Sequence, residues 1–338
     1  MPPMKYWSIP AFGIEQMVAK EAPVPEPAAG QVVVQVHAVS LNYRDLMVVV
    51  GKYNPKLKLP RVPLSDGAGV IHSVGEGVTD VKVGDRVAGI FMQNWLDGAP
   101  NAQKYRGALG GDIDGMATQY IALDHAGVVK IPEGVSFAEA ATLPCAAVTA
   151  WNALHKAGGI TVGSTVLIQG TGGVSIFALQ FAKAMGARVL GTSSSDEKLE
   201  RARTLGLDAG LNYKKDPDWA DWAIEQTGGE GVDLVVEVGG AGTFSQSLKA
   251  AKIGGAVAQI GVLSQSDEPV GVGLILRKQL RVQGIYVGSR TEFEAMNQAL
   301  ALHPIKPVID EEFQFSEFPA ALRRMQSASH FGKLVVSF

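Results

Sequence analysis

The stretch VLIQGTGGVSIFALQFAKAMGARVLGTSSSDEK, residues 166–198, reads as a strand, a glycine turn and a helix in direct succession, then a second strand. Val166, Leu167 and Ile168 form a short apolar run, and Gly170, Thr171, Gly172, Gly173, Val174 and Ser175 follow at once. Val174, Ala178, Phe181, Ala182 and Met185 then recur at the spacing of one helical face. Glycine at 170 permits a tight turn and glycine at 172 lets a pyrophosphate approach the backbone. The N–H groups that open a helix at Gly173 and Val174 favour its negative charge. Ser175 stands where a third glycine is often found and is small enough to keep helix and strand close. A turn that only packs is the alternative; the strand before it and the helix after it favour a dinucleotide site.

The second strand, ARVLGT, ends about twenty residues after the first glycine, where an acid on the adenosine ribose marks an NAD enzyme. Thr192, Ser193, Ser194 and Ser195 stand there instead, with Lys198 one turn on. Hydroxyl donors and an ammonium would hold a 2′-phosphate that an acid would repel, so the expected cofactor is NADPH/NADP. Asp196 and Glu197 argue the other way, unless they serve only the helix dipole at a first turn. Lys198 on a solvated helix face is the alternative to a phosphate contact.

Outward from this unit, strands are predicted at 165–169, 188–192, 208–212, 232–238, 255–261 and 280–287, with helices between most of them. That alternation predicts a doubly wound parallel sheet and an α/β fold. Before it, residues 5–129 carry short alternating runs broken by Gly and Pro, such as GQVVVQVHAVSLN and GAGVIHSVGEGV, which predict a β-rich domain. Residues 91–115 are polar, glycine-rich and aromatic, as a long functional loop is. After residue 290 come a helix, the segment PVIDEEFQF, a second helix near Ala320 and a closing strand KLVVSF. The tail is expected to return to the first domain, giving 1–143 and 290–338 as a catalytic domain and 144–289 as the cofactor-binding domain.

The 338 residues are 46% apolar and 19% charged, with 40 glycines and a net charge of -3, a globular composition without a basic field. Nucleic acid is therefore not an expected partner. Cys145 is the single cysteine, so no intrachain disulfide and no cysteine-built metal lobe can form. The opening MPPMKYWSIPAFG lacks a charged start followed by a long apolar run, and no run approaches the ~20 apolar residues of a membrane span. A cytoplasmic protein without a membrane partner is the expectation.

With the first domain added, the chain resembles the medium-chain dehydrogenase/reductase superfamily over essentially its full length. The resemblance is carried by VSLNYRDLMVVVGKY, VPLSDGAGVIHSVGEGVTDVKVGDRVAG, LPCAAVTAW, GTGGVSIFALQFAKAMGARV and VDLVVEVGG. It implies a GroES-like β-rich catalytic domain, a Rossmann domain and a cofactor cleft between them. Zinc-dependent members carry a cysteine at the position of Asn42, Gly-His-Glu at Leu64-Ser65-Asp66 and a third ligand at Cys145. Only the last is kept here, and Asn42 and Ser65 are poor substitutes. No catalytic zinc is expected; Cys145, Asp66 and His72 as an improvised site is the alternative, with Cys145 in a core and His72 in a strand on the other side.

The resemblance is to zinc-free reductases of quinones or activated double bonds. It implies that Asn42 positions the nicotinamide and that Tyr53 donates to substrate oxygen, with Arg44 and Asp45 a local structural pair. Thr149 matches a threonine near the nicotinamide, and Tyr213 matches a tyrosine at the adenosine phosphate end, or is a strand-end aromatic. Gly239-Gly240 and Gly261-Val262 fall at carboxyl strand ends, where ligands of open sheets bind. Phe91, Trp95 and Tyr105 either line the substrate mouth or cover the core. The expected activity is NADPH-dependent hydride transfer to a small-molecule quinone or α,β-unsaturated carbonyl. An NADP-dependent alcohol/aldehyde dehydrogenase and a non-catalytic NADPH-binding protein are the alternatives. The sixth strand, LRVQGIYVG, is an apolar sheet edge that needs covering, and a homodimer through it is expected.

Overall fold

The computed structural model describes residues 2–264, 266, 270–303 and 305–338. It divides into two compact units, one made by the chain up to Val148 together with Val287–Phe338, the other by Thr149–Tyr286.

In the first unit β1 (Met4–Ser8) and β2 (Val18–Ala22) form an antiparallel ribbon. There follow β3 (Gln31–Ser40), helix α1 (Tyr43–Val49), β4 (Asp66–Val74), β5 (Arg86–Gly89), β6 (Tyr120–Asp124), β7 (Val128–Lys130) and the short helix α2 (Phe137–Ala141). β3 pairs with β4 along one edge and with β6 along the other, and Val32, Val33 and Val34 are all buried although their side chains alternate between faces, so both faces of the strand are covered here. The loop after β5 runs without a regular strand from Phe91 to Gly115, held by turns and isolated bridges.

The chain crosses into the second unit at α3 (Val148–Asn152). Here β8 (Thr165–Gln169), α4 (Gly173–Ala184), β9 (Arg188–Ser193), α5 (Asp196–Thr204), β10 (Ala209–Asn212), α6 (Trp219–Gln226), β11 (Val232–Glu237), α7 (Ala241–Ala250), β12 (Ala251–Gln259), α8 (Val272–Lys278) and β13 (Arg281–Gly284) alternate strictly. The six strands are parallel in the order β10-β9-β8-β11-β12-β13. The order reverses beside β8, the switch point at which ligands of doubly wound sheets bind. Val166, Leu167, Leu234, Val235 and Val236 are fully buried, as helices on both faces of a parallel sheet require.

Two local expectations change. The apolar face predicted for α4 is only part of its buried surface: Ala178, Phe181 and Ala182 are buried and Val174 and Met185 half-exposed, while Ser175, Ile176, Phe177 and Leu179 are buried too, so the helix is enclosed nearly all round. The sixth strand stops at Gly284, three residues before the expected end, where Val287 has a left-handed φ of 57°.

The chain then rejoins the first unit through α9 (Arg290–Leu302), β14 (Ile309–Gln314), α10 (Phe318–Gln326) and β15 (Lys333–Ser337). β15 pairs parallel with β14 and antiparallel with β3. This carries Lys333, the first residue of β15, to the end of β3 where α1 begins.

Candidate active site

In the first unit, the turn from β3 into α1 is fixed by Asp45, whose carboxylate accepts from the Asn42 backbone N–H at 2.8 Å and from the Ser65 N–H at 3.2 Å. Asn42 is thereby set at the N-terminus of α1, facing Ser65 and Asp66 at the start of β4. Lys333 Nζ donates to Leu41 O and to Asn42 Oδ1, both at 2.6 Å. This fixes the Asn42 amide with its oxygen toward the lysine. Asn42 Nδ2 reaches Ser65 Oγ at 3.4 Å, Ser65 Oγ donates to Asp66 Oδ1 at 2.7 Å, and Asp66 Oδ2 accepts from Cys145 N at 3.0 Å.

Asp45 and Asp66 are both fully buried, and Lys333 is 3% exposed. Burial raises the Asp45 carboxyl to about 6, against the pull of Arg44, and likewise raises Asp66 against the pull of Lys333. Burial also lowers the Lys333 ammonium, while the charges of Asp66, Cys145 and Asp45 hold it up. Cys145 keeps some exposed surface, yet burial and the Asp66 charge push its thiol well above the ordinary range. Such a thiol is a poor anionic ligand or nucleophile.

This arrangement does not fit a catalytic zinc. Two of the three positions offer an amide and a hydroxyl, and the amide oxygen is already bound to an ammonium ion. Among the described residues no group of three His, Cys, Asp or Glu side chains could hold a metal. His72 instead packs edge-on against Tyr120, with ring centroids 5.1 Å apart.

A second cluster gathers around Arg44. Its guanidinium donates to Leu109 O at 2.6 Å, lies 3.4 Å from Asp45, and stands over the rings of Tyr53 (5.1 Å) and Phe91 (4.9 Å). Arg44 is thus more than half of a local pair, because it joins two of the four aromatic residues predicted for substrate. Tyr53 is 43% exposed whereas Phe91 is fully buried. Trp95 is buried with its ring edge-on to Tyr105 at 5.5 Å, and its indole N–H donates to Gly98 O, so this pair braces the loop.

In the second unit the predicted turn lies at the switch point. Gly170 has a φ of 66°, and a Cβ placed on Gly170 or Gly172 would meet nothing within 4 Å. The turn therefore borders open space at the N-terminus of α4, a cradle of the kind a pyrophosphate fills. Ser175 does more than stay small: its hydroxyl donates to Gln169 O at 2.6 Å and pins the helix start to the strand end.

At the end of β9, Ser193 Oγ accepts from Ser195 N at 3.3 Å and Ser195 Oγ caps α5 through Lys198 N at 3.4 Å, each keeping its O–H free to donate. Asp196 is tied to Lys215 Nζ at 2.5 Å and Asn212 Nδ2 at 2.9 Å, which hold its carboxyl below the ordinary range. Tyr213 is exposed just past β10 with its N–H on Ser193 O. Thr149 is buried in α3, and Val262 is exposed.

Gly239 and Gly261 have a packing role. A Cβ on Gly261 would lie 1.7 Å from Val238 O, so only glycine lets the two loops cross. The residue that organises the turn at Gly239 is Glu237, which sequence reasoning missed. It is fully buried and accepts from Gln169 Nε2 (2.7 Å), Gly239 N and Gly240 N (both 2.8 Å), Thr243 Oγ1 (2.6 Å) and Ser247 Oγ. Its signal was an acid closing the apolar run VDLVVE; that of Lys333 was a lone charge opening KLVVSF.

The fold, the switch-point turn and the donor cluster define a nicotinamide-dependent oxidoreductase class, and the chain belongs to the medium-chain dehydrogenase/reductase superfamily. Residues 28–133 match the alcohol dehydrogenase GroES-like domain and residues 173–302 the zinc-binding dehydrogenase family. A zinc-type alcohol dehydrogenase-like protein of Schizosaccharomyces pombe is 44% identical over 96% of each chain. A Sinorhizobium meliloti crystal structure, provisionally assigned as an alcohol dehydrogenase, superimposes with a TM-score of 0.93 at 40% identity over 99% of each chain. An NAD-dependent alcohol dehydrogenase structure gives 0.90 at 32% identity, over 99% of this chain and all of that one. Other relatives are an acryloyl-coenzyme A reductase of Metallosphaera sedula, 30% identical over 94% of this chain and 95% of that one, and a quinone oxidoreductase of Coxiella burnetii, with a TM-score of 0.80 at 25% identity over 99% of each. No helix among the described residues is long and apolar enough to cross a membrane.

Proposed function

We propose that this protein is an NADPH-dependent reductase that transfers hydride to the activated C=C of an α,β-unsaturated carbonyl or to a quinone, without a catalytic zinc. The observation that carries the reading is the first-unit cluster, in which an amide and a hydroxyl stand at two positions that zinc-dependent relatives give to metal ligands, and the amide oxygen is bound by the Lys333 ammonium. Oxidising a simple alcohol calls for a Lewis acid that contributes several kcal/mol to an alkoxide. Hydride addition to a conjugated acceptor spreads charge over several atoms, which hydrogen-bond donors can stabilise.

NADPH supplies the hydride when bound. Asn42 positions its nicotinamide through Nδ2, and Thr149 belongs to the same function. Tyr53, its ring set by the Arg44 guanidinium, donates its O–H to the substrate oxygen. The turn at Gly170, Gly172, Gly173 and Val174 takes the pyrophosphate. Ser193, Ser194, Lys198 and Tyr213 take the adenosine 2′-phosphate, at a place where Asp196 is already neutralised by Lys215. The names of the acryloyl-coenzyme A reductase and quinone oxidoreductase relatives support the substrate class.

A second reading, alcohol/aldehyde oxidoreduction, is favoured by the names of the most similar relatives reported above. Steady-state assays decide between them: enones, enals, quinones and acyl thioesters with NADPH or NADH, against saturated alcohols with NADP or NAD. We expect turnover of the first group with a preference for NADPH that shrinks in Lys198→Ala. Tyr53→Phe should lower kcat at least about tenfold with NADPH affinity little changed. Turnover confined to alcohols, or an NADH preference, overturns the reading.

A further inference from the structure

A lysine ammonium is a compact charge with three donors and no acceptor. Lys333 brings that charge into a closed part of the first unit and spends two donors on Leu41 O and Asn42 Oδ1. Two buried carboxylates, Asp45 and Asp66, belong to the same cluster, and neither is solvated. A divalent cation in this place would need lone pairs turned toward it. The structure turns them elsewhere: Asn42 Oδ1 to Lys333, Ser65 Oγ to Asn42 Nδ2, Asp66 Oδ1 to the Ser65 hydroxyl, and Asp66 Oδ2 to Cys145 N.

We propose that the Lys333 ammonium is the resident cation of this cluster, bound to a residue that stands at a metal-ligand position of zinc-dependent relatives, and that its hydrogen bond to Asn42 Oδ1 makes it a positioning residue that leaves Asn42 Nδ2 as a donor. With the oxygen of the amide held, the group cannot flip, so one edge of Asn42 always presents N–H. The kinetic part of this inference rests on the reductase reading; the metal and stability parts do not.

The test compares wild type, Lys333→Met and Lys333→Met/Asp66→Asn. Zinc content is measured by plasma mass spectrometry after expression in zinc-supplemented medium and dialysis. Thermal denaturation and NADPH binding by fluorescence are recorded for each protein, with kcat and KM measured on benzoquinone and cyclohexenone. We expect wild type to hold far less than one zinc per chain. Lys333→Met, which strands buried carboxylates without their cation, should melt well below wild type. The double variant should recover most of that loss in Tm, yet keep a kcat reduced by about 100-fold with NADPH affinity within about threefold of wild type, because the amide is no longer held. A merely structural lysine would give back kcat together with Tm. One zinc per chain in wild type, a double variant with wild-type kcat, or a Lys333→Met protein as stable as wild type overturns the inference. If wild type turned over neither probe, the reductase reading would fail, and zinc content and the Tm pattern would still decide the identity of the cation.

Discussion

At the scale of single residues, Asp45 shows how a carboxylate can serve position at a cost in stability. It orders the start of α1 by accepting the Asn42 and Ser65 N–H groups, yet it is fully enclosed, and burial raises its pKa from 3.8 to about 6. A carboxyl whose folded pKa lies above its unfolded value binds its proton more tightly in the folded state. Its contribution is therefore fully present below about pH 4 and is lost as pH rises through 6. Measured by denaturant unfolding, wild type should lose stability relative to Asp45→Asn between about pH 4 and pH 6.5, by up to roughly 3 kcal/mol, and level off above. A difference independent of pH would refute the assignment. The residue types at 42 and 65 were readable in the sequence as poor metal ligands. The partner that engages them was not, because Lys333 lies 291 positions from Asn42 and no local pattern connects them.

At the scale of elements, the strand-turn-helix at β8 and α4 follows from residues 165–184 alone, whereas the turn after β11 and its join to β8 and α7 depend on Glu237. Five donors from four separate places, Gln169, Gly239-Gly240, Thr243 and Ser247, converge on this one carboxylate. Glu237→Gln keeps the shape but places an NH₂ group against donors, leaving buried N–H or O–H groups without an acceptor. We expect it to lower stability by about 2–4 kcal/mol and to weaken NADPH binding as the turn after β8 loosens, read by denaturant titration and fluorescence. Wild-type stability would show that the network is redundant. The helical periodicity of α4 marked only part of its buried surface, because a helix enclosed nearly all round has no polar side to set the phase.

At the scale of the whole molecule, β13 ends the parallel sheet with all four residues exposed, beside α8, where Val272 and Leu276 are 68% and 80% exposed. An open strand edge flanked by apolar surface is a template for pairing. We propose that a second copy of the chain pairs there. Light scattering on a sizing column should give twice the chain mass for wild type, and Val282→Lys should shift it toward the monomer; a monomeric wild type sinks the proposal.

The alternation of strands and helices from 165 to 287, the glycine turn and the missing metal-ligand residue types were legible in the sequence, because backbone sterics, periodicity and donor chemistry are local properties. Only the tertiary structure decided that Arg44 joins Tyr53 to Phe91, that Glu237 ties the end of β8 to the turn after β11 and to α7, and that a lysine from β15 enters the cluster around Asn42. Those contacts join residues far apart in the chain, and the desolvation that gives them their strength arises only once the core has closed around them.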